Sequence, residues 1–485
     1  MQAFGVALLV TLSACGFGSS STPPVIERTG AIVWHQCGSI ECATLSVPLD
    51  RSHANGRRIQ LALARRPADG KRVGVLLANP GGPGGSGIEF LHAAGDVFSK
   101  SVREHFDIVS WDPRGVGAST SVDCTDDLDF FYRVDRSNGD ASTVRDNVTA
   151  AKRFVEACRR SSRGLLPFLS TRASVADMDA IRAALRVRTI SYLGFSYGTY
   201  LGALYADRYP TRVRAMVLDG AVDPARSSAD GTIRQAVGFD RALGAFLVWC
   251  RDNSHCHFAP HGNPVTAFDD LTASLAHETL PAEVDGEKRT LGLGEANIGI
   301  ATALYAGSGR NGWEALGKAL RDAAQGDGSG LLALTDVYTG RKTGGHYDDQ
   351  TDAFYGIGCL DAPAPPTVAA VTSLAARAER AAPVFGASGV WLGLPCTFWP
   401  AKPDGRPGPI HAAGAPPILV IGTTDDPATP YESAKALSRE LESGRLLTYV
   451  GEGHTAYGRG DACIDAKVDA YLIARQLPPT GTRCK

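Results

Sequence analysis

A chain of 485 residues is long enough for one large domain with insertions or for two or three smaller ones. Its 44% hydrophobic content supports a packed core, and no internal apolar run reaches the length of a membrane-spanning helix. The formal net charge of −2 gives no hint of a nucleic-acid partner, and basic pairs such as Arg57-Arg58 and Arg159-Arg160 read as solvated surface.

The N-terminus carries a short apolar segment, Phe4–Leu12, that closes in Leu12-Ser13-Ala14-Cys15. This resembles a bacterial lipobox, in which a peptidase cuts before the cysteine and a lipid is attached to its sulfur. Residues 1–15 then read as a signal with Cys15 as the lipidation site, and residues 16–30, opening GFGSSSTPPV, as a polar tether. No Lys or Arg precedes the apolar core, a departure from the usual export signal. A plain cleaved signal and a buried N-terminal helix are the rival readings. Eleven cysteines less Cys15 leave ten, an even number that suits an oxidising compartment. Their order suggests local pairs: Cys37–Cys42, Cys124–Cys158, Cys250–Cys256, Cys359–Cys396 and Cys463–Cys484. Zinc is the rival use for these thiols, but no CxxC pair is present. The expected location is extracytoplasmic, as a cell-envelope lipoprotein or a secreted protein, with membrane contact only through Cys15.

Short aliphatic and β-branched runs predict buried strands at Val73–Asn79, His105–Asp112, Thr189–Phe195, Val213–Leu218, Pro417–Gly422 and Leu446–Val450. Helical patterns lie between them, at Val175–Leu185 and at Thr199–Arg208, the latter stopped by Pro210. Strands alternating with helices predict a mostly parallel α/β sheet. From about Arg226 to Pro383 the pattern changes to alanine-rich helices (Ala296–Ala306, Gly312–Ala324, Val368–Ala382) with Gly-rich joints. This reads as a helical insertion after one strand, with the sheet resuming near Pro416.

Acyl transfer needs a nucleophile, a base, a group that orients the base, and donors for the oxyanion. Gly194-x-Ser196-x-Gly198 stands between a strand and a helix, the setting of a nucleophile elbow, although an isolated G-x-S-x-G is more often an ordinary turn. Upstream, NPGGPGGSG (Asn79–Gly87) follows a buried strand, where glycines keep side chains clear of a reacting carbonyl and leave backbone N–H groups to face it. Gly82, Gly84 and Gly87 also spell G-x-G-x-x-G, with Asp112 ending the next strand, as in a dinucleotide fingerprint. Pro83 removes an N–H from that turn, and an exported protein rarely meets free NAD. Downstream, ILVIGTTDDPATP places Asp425 and Asp426 after one strand, and GEGHTAYG places His454 after the next. The order Ser, Asp, His and the positions at strand C-terminal ends fit an α/β-hydrolase. His454 would take the proton of Ser196, and an aspartate would hold the imidazole in the right tautomer.

With WDPRGVGAS (Trp111–Ser119), MVLDGAVDP (Met216–Pro224) and the trailing Cys463 and Cys484, these motifs resemble the secreted bacterial tripeptidyl aminopeptidase family. Its members are α/β-hydrolase serine peptidases related to prolyl aminopeptidases, and the similarity runs from about Trp34 to Cys484. The resemblance implies a mostly parallel α/β-hydrolase core in residues 31–225 and 386–485, the latter a TAP-like segment, around a helical lid at 226–385. It implies Ser196 as nucleophile and His454 as general base. The family's D-P-x-T-P falls on Asp426–Pro430, so Asp426 rather than Asp425 is the orienting acid. The backbone N–H groups of Gly82 and Tyr197 become the oxyanion donors. The Thr429 hydroxyl could brace the Asp426 carboxylate or serve equally as a turn or helix cap, and Arg114 in DPRG reads as an arginine tying loops near the site, with substrate contact as the rival role. An aminopeptidase must also hold a free α-amino group, for which Asp361, and behind it Glu89, are the carboxylates considered. The expected protein is an exported serine exopeptidase acting on peptides with free N-termini, without metal or cofactor and without a nucleic-acid partner. A carboxylesterase on the same triad, or a silent binding domain that keeps the fold, are the alternatives.

Overall fold

The computed structural model describes residues 32–94, 97–137, 139–256, 258–259 and 262–485. Cys15, the lipobox and the tether lie outside the described residues. Ten strands form one sheet: β1 (His35–Cys37), β2 (Ile40–Pro48), β3 (Arg58–Arg66), β4 (Gly74–Asn79), β5 (Phe106–Trp111), β6 (Ile190–Phe195), β7 (Val213–Asp219), β8 (Ile418–Asp425), β9 (Gly444–Glu452) and β10 (Arg483–Cys484). Their spatial order is β1-β2-β3-β5-β4-β6-β7-β8-β9-β10. From β5 to β10 every pairing is parallel, while β1, β2 and β3 are joined antiparallel at one edge. This is the α/β-hydrolase fold.

The central strands are continuous apolar runs because helices cover both sheet faces, so every side chain meets a core. One face packs Leu77, Tyr192, Met216 and Val420 against helices such as Thr171–Ala184 and Tyr197–Arg208. The other packs Leu76, Leu193, Val217 and Leu447 against the helix Ala462–Ala474. The sequence reading omits β2 and β3, whose polar and apolar residues alternate, and the very short β1 and β10. Between β7 and β8 the chain builds helices that include Ser228–Asp252, Leu293–Ala306, Gln350–Asp361 and Gly386–Leu392. Their apolar core holds Phe246, Leu271 and Trp313. The hairpin Leu280–Val284 with Glu287–Leu291 also lies there, turned by Asp285-Gly286 with both φ angles positive. Asp-Gly is the usual dipeptide of a two-residue hairpin turn, so that signal stood in the sequence. Its strands alternate and are half-exposed, so they lack the continuous apolar run of a buried strand.

All five cysteine pairs suggested by chain order are disulfides. No helix among the described residues is long and apolar enough to cross a membrane. Arg114 is buried and ties loops together: it forks onto Asp177 (Nε to Oδ2 2.7 Å, Nη2 to Oδ1 2.9 Å) and donates to the Leu49 and Phe168 carbonyls. Arg51 adds a second ion pair to Asp177. Removing one partner strands a buried charge, which typically costs about 3–5 kcal/mol. Asp177→Ala is therefore expected to lose stability of that order in urea unfolding with disulfides intact, and a loss below about 1 kcal/mol would show the cluster to be dispensable.

Candidate active site

β6 delivers the chain to Ser196, which sits at φ 54°, ψ −124° just before the helix Tyr197–Arg208. Such a conformation is costly for a residue with a Cβ and persists only where its surroundings impose it. Here the Ser196 N–H donates to the Asp219 carbonyl at 2.8 Å. The Ser196 carbonyl accepts from the Thr199 N–H (2.8 Å) and hydroxyl (2.6 Å). The flanking glycines are required by contact. A Cβ on Gly194 would lie 2.4 Å from the Gly198 carbonyl oxygen, and one on Gly198 would lie 2.8 Å from Asn79 Oδ1.

Asn79 ends β4 and opens the glycine loop, so the loop and the elbow lie against each other. Gly81 and Gly82 both have φ near +100°, and a Cβ on Gly81 would come within 3.2 Å of the Tyr197 nitrogen. Tyr197 is the first residue of its helix, where an N–H has no acceptor inside the helix. Gly82 is exposed at the loop's turn. The Tyr197 ring points away into the core, and its hydroxyl meets Thr171 Oγ1.

β8 and β9 supply the other two groups. The buried Asp426 carboxylate meets His454 Nδ1 at 2.9 and 3.0 Å. It also accepts from the Ala428 and Thr429 amides at 2.9 Å each, the Thr429 hydroxyl at 3.0 Å and the Thr455 amide at 3.3 Å. Asp425 points outward and is exposed. His454 Nε2 is buried without a hydrogen-bond partner. The imidazole lies over Gly220, since a Cβ there would be 3.1 Å from His454 Cε1.

Two residues absent from the sequence reading position this histidine. Asp219, wholly buried at the end of β7, accepts from the Ala456 amide (3.0 Å) and the Tyr457 amide (2.8 Å). Burial pushes its carboxyl up to about 6, against the pull of those two N–H groups. An acid ending a buried strand in VLDG was the available signal. Tyr305, from the helix Leu293–Ala306, packs its ring edge-on against the imidazole at 5.4 Å and accepts the His454 N–H at 2.9 Å. Nothing in the local sequence marks it.

The remaining residues are placed as follows. Asp361 accepts the Thr171 amide (2.9 Å) and hydroxyl (2.5 Å), closing the start of the helix Thr171–Ala184, and burial pushes its carboxyl up to about 7. Glu89 is exposed on the short helix Gly87–Ala93. Asp112 receives Ser86 Oγ and the Ile88 and Ala118 amides. Tyr305 also lines a cavity walled by Phe239, Ile298, Tyr338, Phe385 and Leu392, whose polar side chains are Arg136, Thr232, Gln235, Asn297 and Ser388. A second cavity continues from it past Thr232 and Tyr338 toward Phe354 and Pro365. Neither is lined by a carboxylate, so Asp361 and Glu89 stand outside both.

Residues 382–484 match the family model described as TAP-like protein. Along almost the whole chain the sequence is similar to three curated proteins. Serine protease Hip1 of Mycobacterium tuberculosis is 37% identical over 96% of this chain and 89% of its own length. Carboxylesterase B of the same species is 36% identical over 97% and 92%. Tripeptidyl aminopeptidase of Streptomyces lividans is 30% identical over 93% and 86%. The chain belongs to the TAP-like family of α/β-hydrolase serine hydrolases.

Proposed function

We propose that this protein is an exported serine exopeptidase that releases short N-terminal fragments, tripeptides among them, from unblocked peptides through an acyl-enzyme. The observation that carries the reading is the buried Asp426–His454 pair, with Nε2 unpartnered, beside the strained elbow of Ser196. Asp426 fixes the tautomer: with Nδ1–H donated to the carboxylate, Nε2 is the basic nitrogen. Ser196 Oγ attacks the scissile carbonyl as its proton moves to Nε2, and the Gly82 and Tyr197 amides hold the oxyanion. The imidazolium then protonates the leaving amine, and a water repeats the sequence to free the acyl product. Thr429 and Asp219 act as positioning residues, the first on the Asp426 carboxylate and the second on the loop of His454.

Export is supported by the five disulfides, which form and persist in oxidising compartments. The helical segment between β7 and β8 is read as a lid over the substrate, because its residues, with Arg136 from outside it, form the walls of both cavities. The free-N-terminus requirement leans on the relative named tripeptidyl aminopeptidase. A carboxylesterase is the second reading, favoured by the relative named carboxylesterase B, since the same triad cleaves amides and esters alike.

Ser196→Ala is expected to lower kcat by about 10⁴-fold or more and to abolish labelling by a fluorophosphonate probe. Retained labelling would move the nucleophile elsewhere. Side-by-side turnover of free tripeptide amides, their N-acetylated forms and short acyl esters separates the two readings. The exopeptidase reading expects the free amides to be preferred, and it fails if only esters are cleaved.

Asp219 gives a pH signature. Its folded-state value lies above the ordinary 3.8, so the stability favoured by its neutral form is lost as pH rises through about 6. Wild type should therefore lose about 2–3 kcal/mol more than Asp219→Asn between pH 4 and pH 7 in thermal unfolding. Parallel pH dependences for the two proteins would show that burial of this carboxyl carries no such cost.

A further inference from the structure

Arg136 lies in the loop after the short helix Asp129–Tyr132 and is buried, at 3% exposure. Buried arginines are normally paired with carboxylates. Among the described residues no carboxylate lies within 4 Å of this one. Asp135, its neighbour in sequence, is occupied with the Ser137 amide and hydroxyl. Of the five guanidinium N–H groups, one on Nη1 goes to the Val134 carbonyl (3.0 Å) and one on Nη2 to the Phe131 carbonyl (2.5 Å). The guanidinium also lies over the Phe131 ring, 4.8 Å from its centroid, while Nε is buried without an acceptor. Burial also holds the guanidinium below the ordinary arginine range.

The same cavity wall carries a second buried polar group without a partner, Asn297 Oδ1, on a residue at 7% exposure. The rest of the wall is mostly aromatic and aliphatic; of its other polar side chains, Gln235 and Ser388 already donate to the Ala428 and Phe385 carbonyls, and Thr232 lies beside them. One member of the wall, Tyr305, is the ring set edge-on against His454. A guanidinium N–H and an amide oxygen, both without partners, thus line a mostly apolar cavity that shares the Tyr305 ring with the imidazole. A ligand that satisfies both offers an anion for the arginine fork and a nearby N–H for the amide oxygen. An acidic residue within a peptide has that combination, a side-chain carboxylate and a backbone N–H.

We infer that Arg136 and Asn297 form a substrate subsite for a carboxylate-bearing residue, which makes peptides containing Glu or Asp near the cleaved bond the preferred substrates. The inference rests on the peptide-hydrolase reading above and names its substrate class. Arginine–carboxylate hydrogen bonds between charged groups are the strong kind, and the aromatic wall keeps water from competing.

The test uses the full-length enzyme and a set of peptide amides in which Glu and Gln are exchanged at each of the three positions before the scissile bond. Active sites are counted by fluorophosphonate labelling of Ser196, so a poorly folded variant is not mistaken for a loss of selectivity. Wild type is expected to favour Glu over Gln by about 10- to 100-fold in kcat/KM at one position. Arg136→Gln should bring that ratio near one, and Arg136→Lys, which keeps the charge without the fork, should retain part of it. Equal turnover of the Glu and Gln members by wild type overturns the subsite, as does a ratio that survives in Arg136→Gln. A different failure, in which no amide is cleaved while Ser196 is labelled and esters are hydrolysed, strikes the peptidase reading instead. The subsite is then judged on monosuccinate against butyrate esters of one alcohol, with the same ratios and the same overturning results.

Discussion

The site depends on one residue with two kinds of bond. The carbonyl of Asp219 holds the Ser196 amide, and its carboxylate holds the Ala456 and Tyr457 amides just after His454. In the sheet, Asp219 pairs with Phe195 of β6 on one side and Ile421 of β8 on the other. The strand ends that lead to Ser196 and Asp426 are therefore level with it, and the loop of β9 is drawn back across them. A neutral side chain of similar size would avoid the desolvation that raises this carboxyl to about 6, but it would offer fewer acceptor lone pairs to the two amides. Geometry is kept here at an electrostatic cost, as is common at reactive sites.

Around that fixed point, polar and strained features are each over-determined. The unusual backbone of Ser196 is gripped by Asp219 before it and by Thr199 after it, and the Thr199 hydroxyl in turn accepts the Val222 amide beyond β7. The Asp426 carboxylate receives its neighbours' amides, a hydroxyl and the imidazole, leaving little freedom for the acid to rotate. Rigid placement of this kind is what lets a few side chains act without reorganising when charge develops.

The sheet was legible wherever a strand is buried on both faces, because VLLAN, IVSW and ILVIG leave no alternative to a covered position. The antiparallel strands β2 and β3 alternate in character and needed their partners to be seen. At the site, motif spacing brought out Ser196, Asp426 and His454, since each follows a buried strand in a fixed order. Tyr305 and Arg136 could not be read this way. Their part in the site comes from segments 149 and 318 residues away from His454 in the chain (454 − 305 and 454 − 136), brought close only by tertiary packing. Asp361 illustrates the reverse error of proximity: an acid beside Cys359 looked available, yet both of its oxygens face Thr171 at the start of a helix.

The attachment of the helical segment to the histidine loop has a consequence for motion. The backbone of His454 is bonded on both sides, its N–H to the Tyr305 carbonyl and its carbonyl to Arg459, which also reaches the Ala306 carbonyl. Gly307 packs directly on Gly453, and Gln235 holds the Ala428 carbonyl in the loop of the acid. The helices that wall the cavities are thus fastened at the base and the acid themselves. Any swing of this segment wide enough to break those bonds would pull the imidazole away from Ser196, so an open mouth and an armed nucleophile are mutually exclusive along that edge. The second cavity runs away from these fastenings, toward Phe354 and Pro365, yet the helix that carries Phe354 packs its backbone on Gly84 of the glycine loop, so the segment is held to the site at both edges.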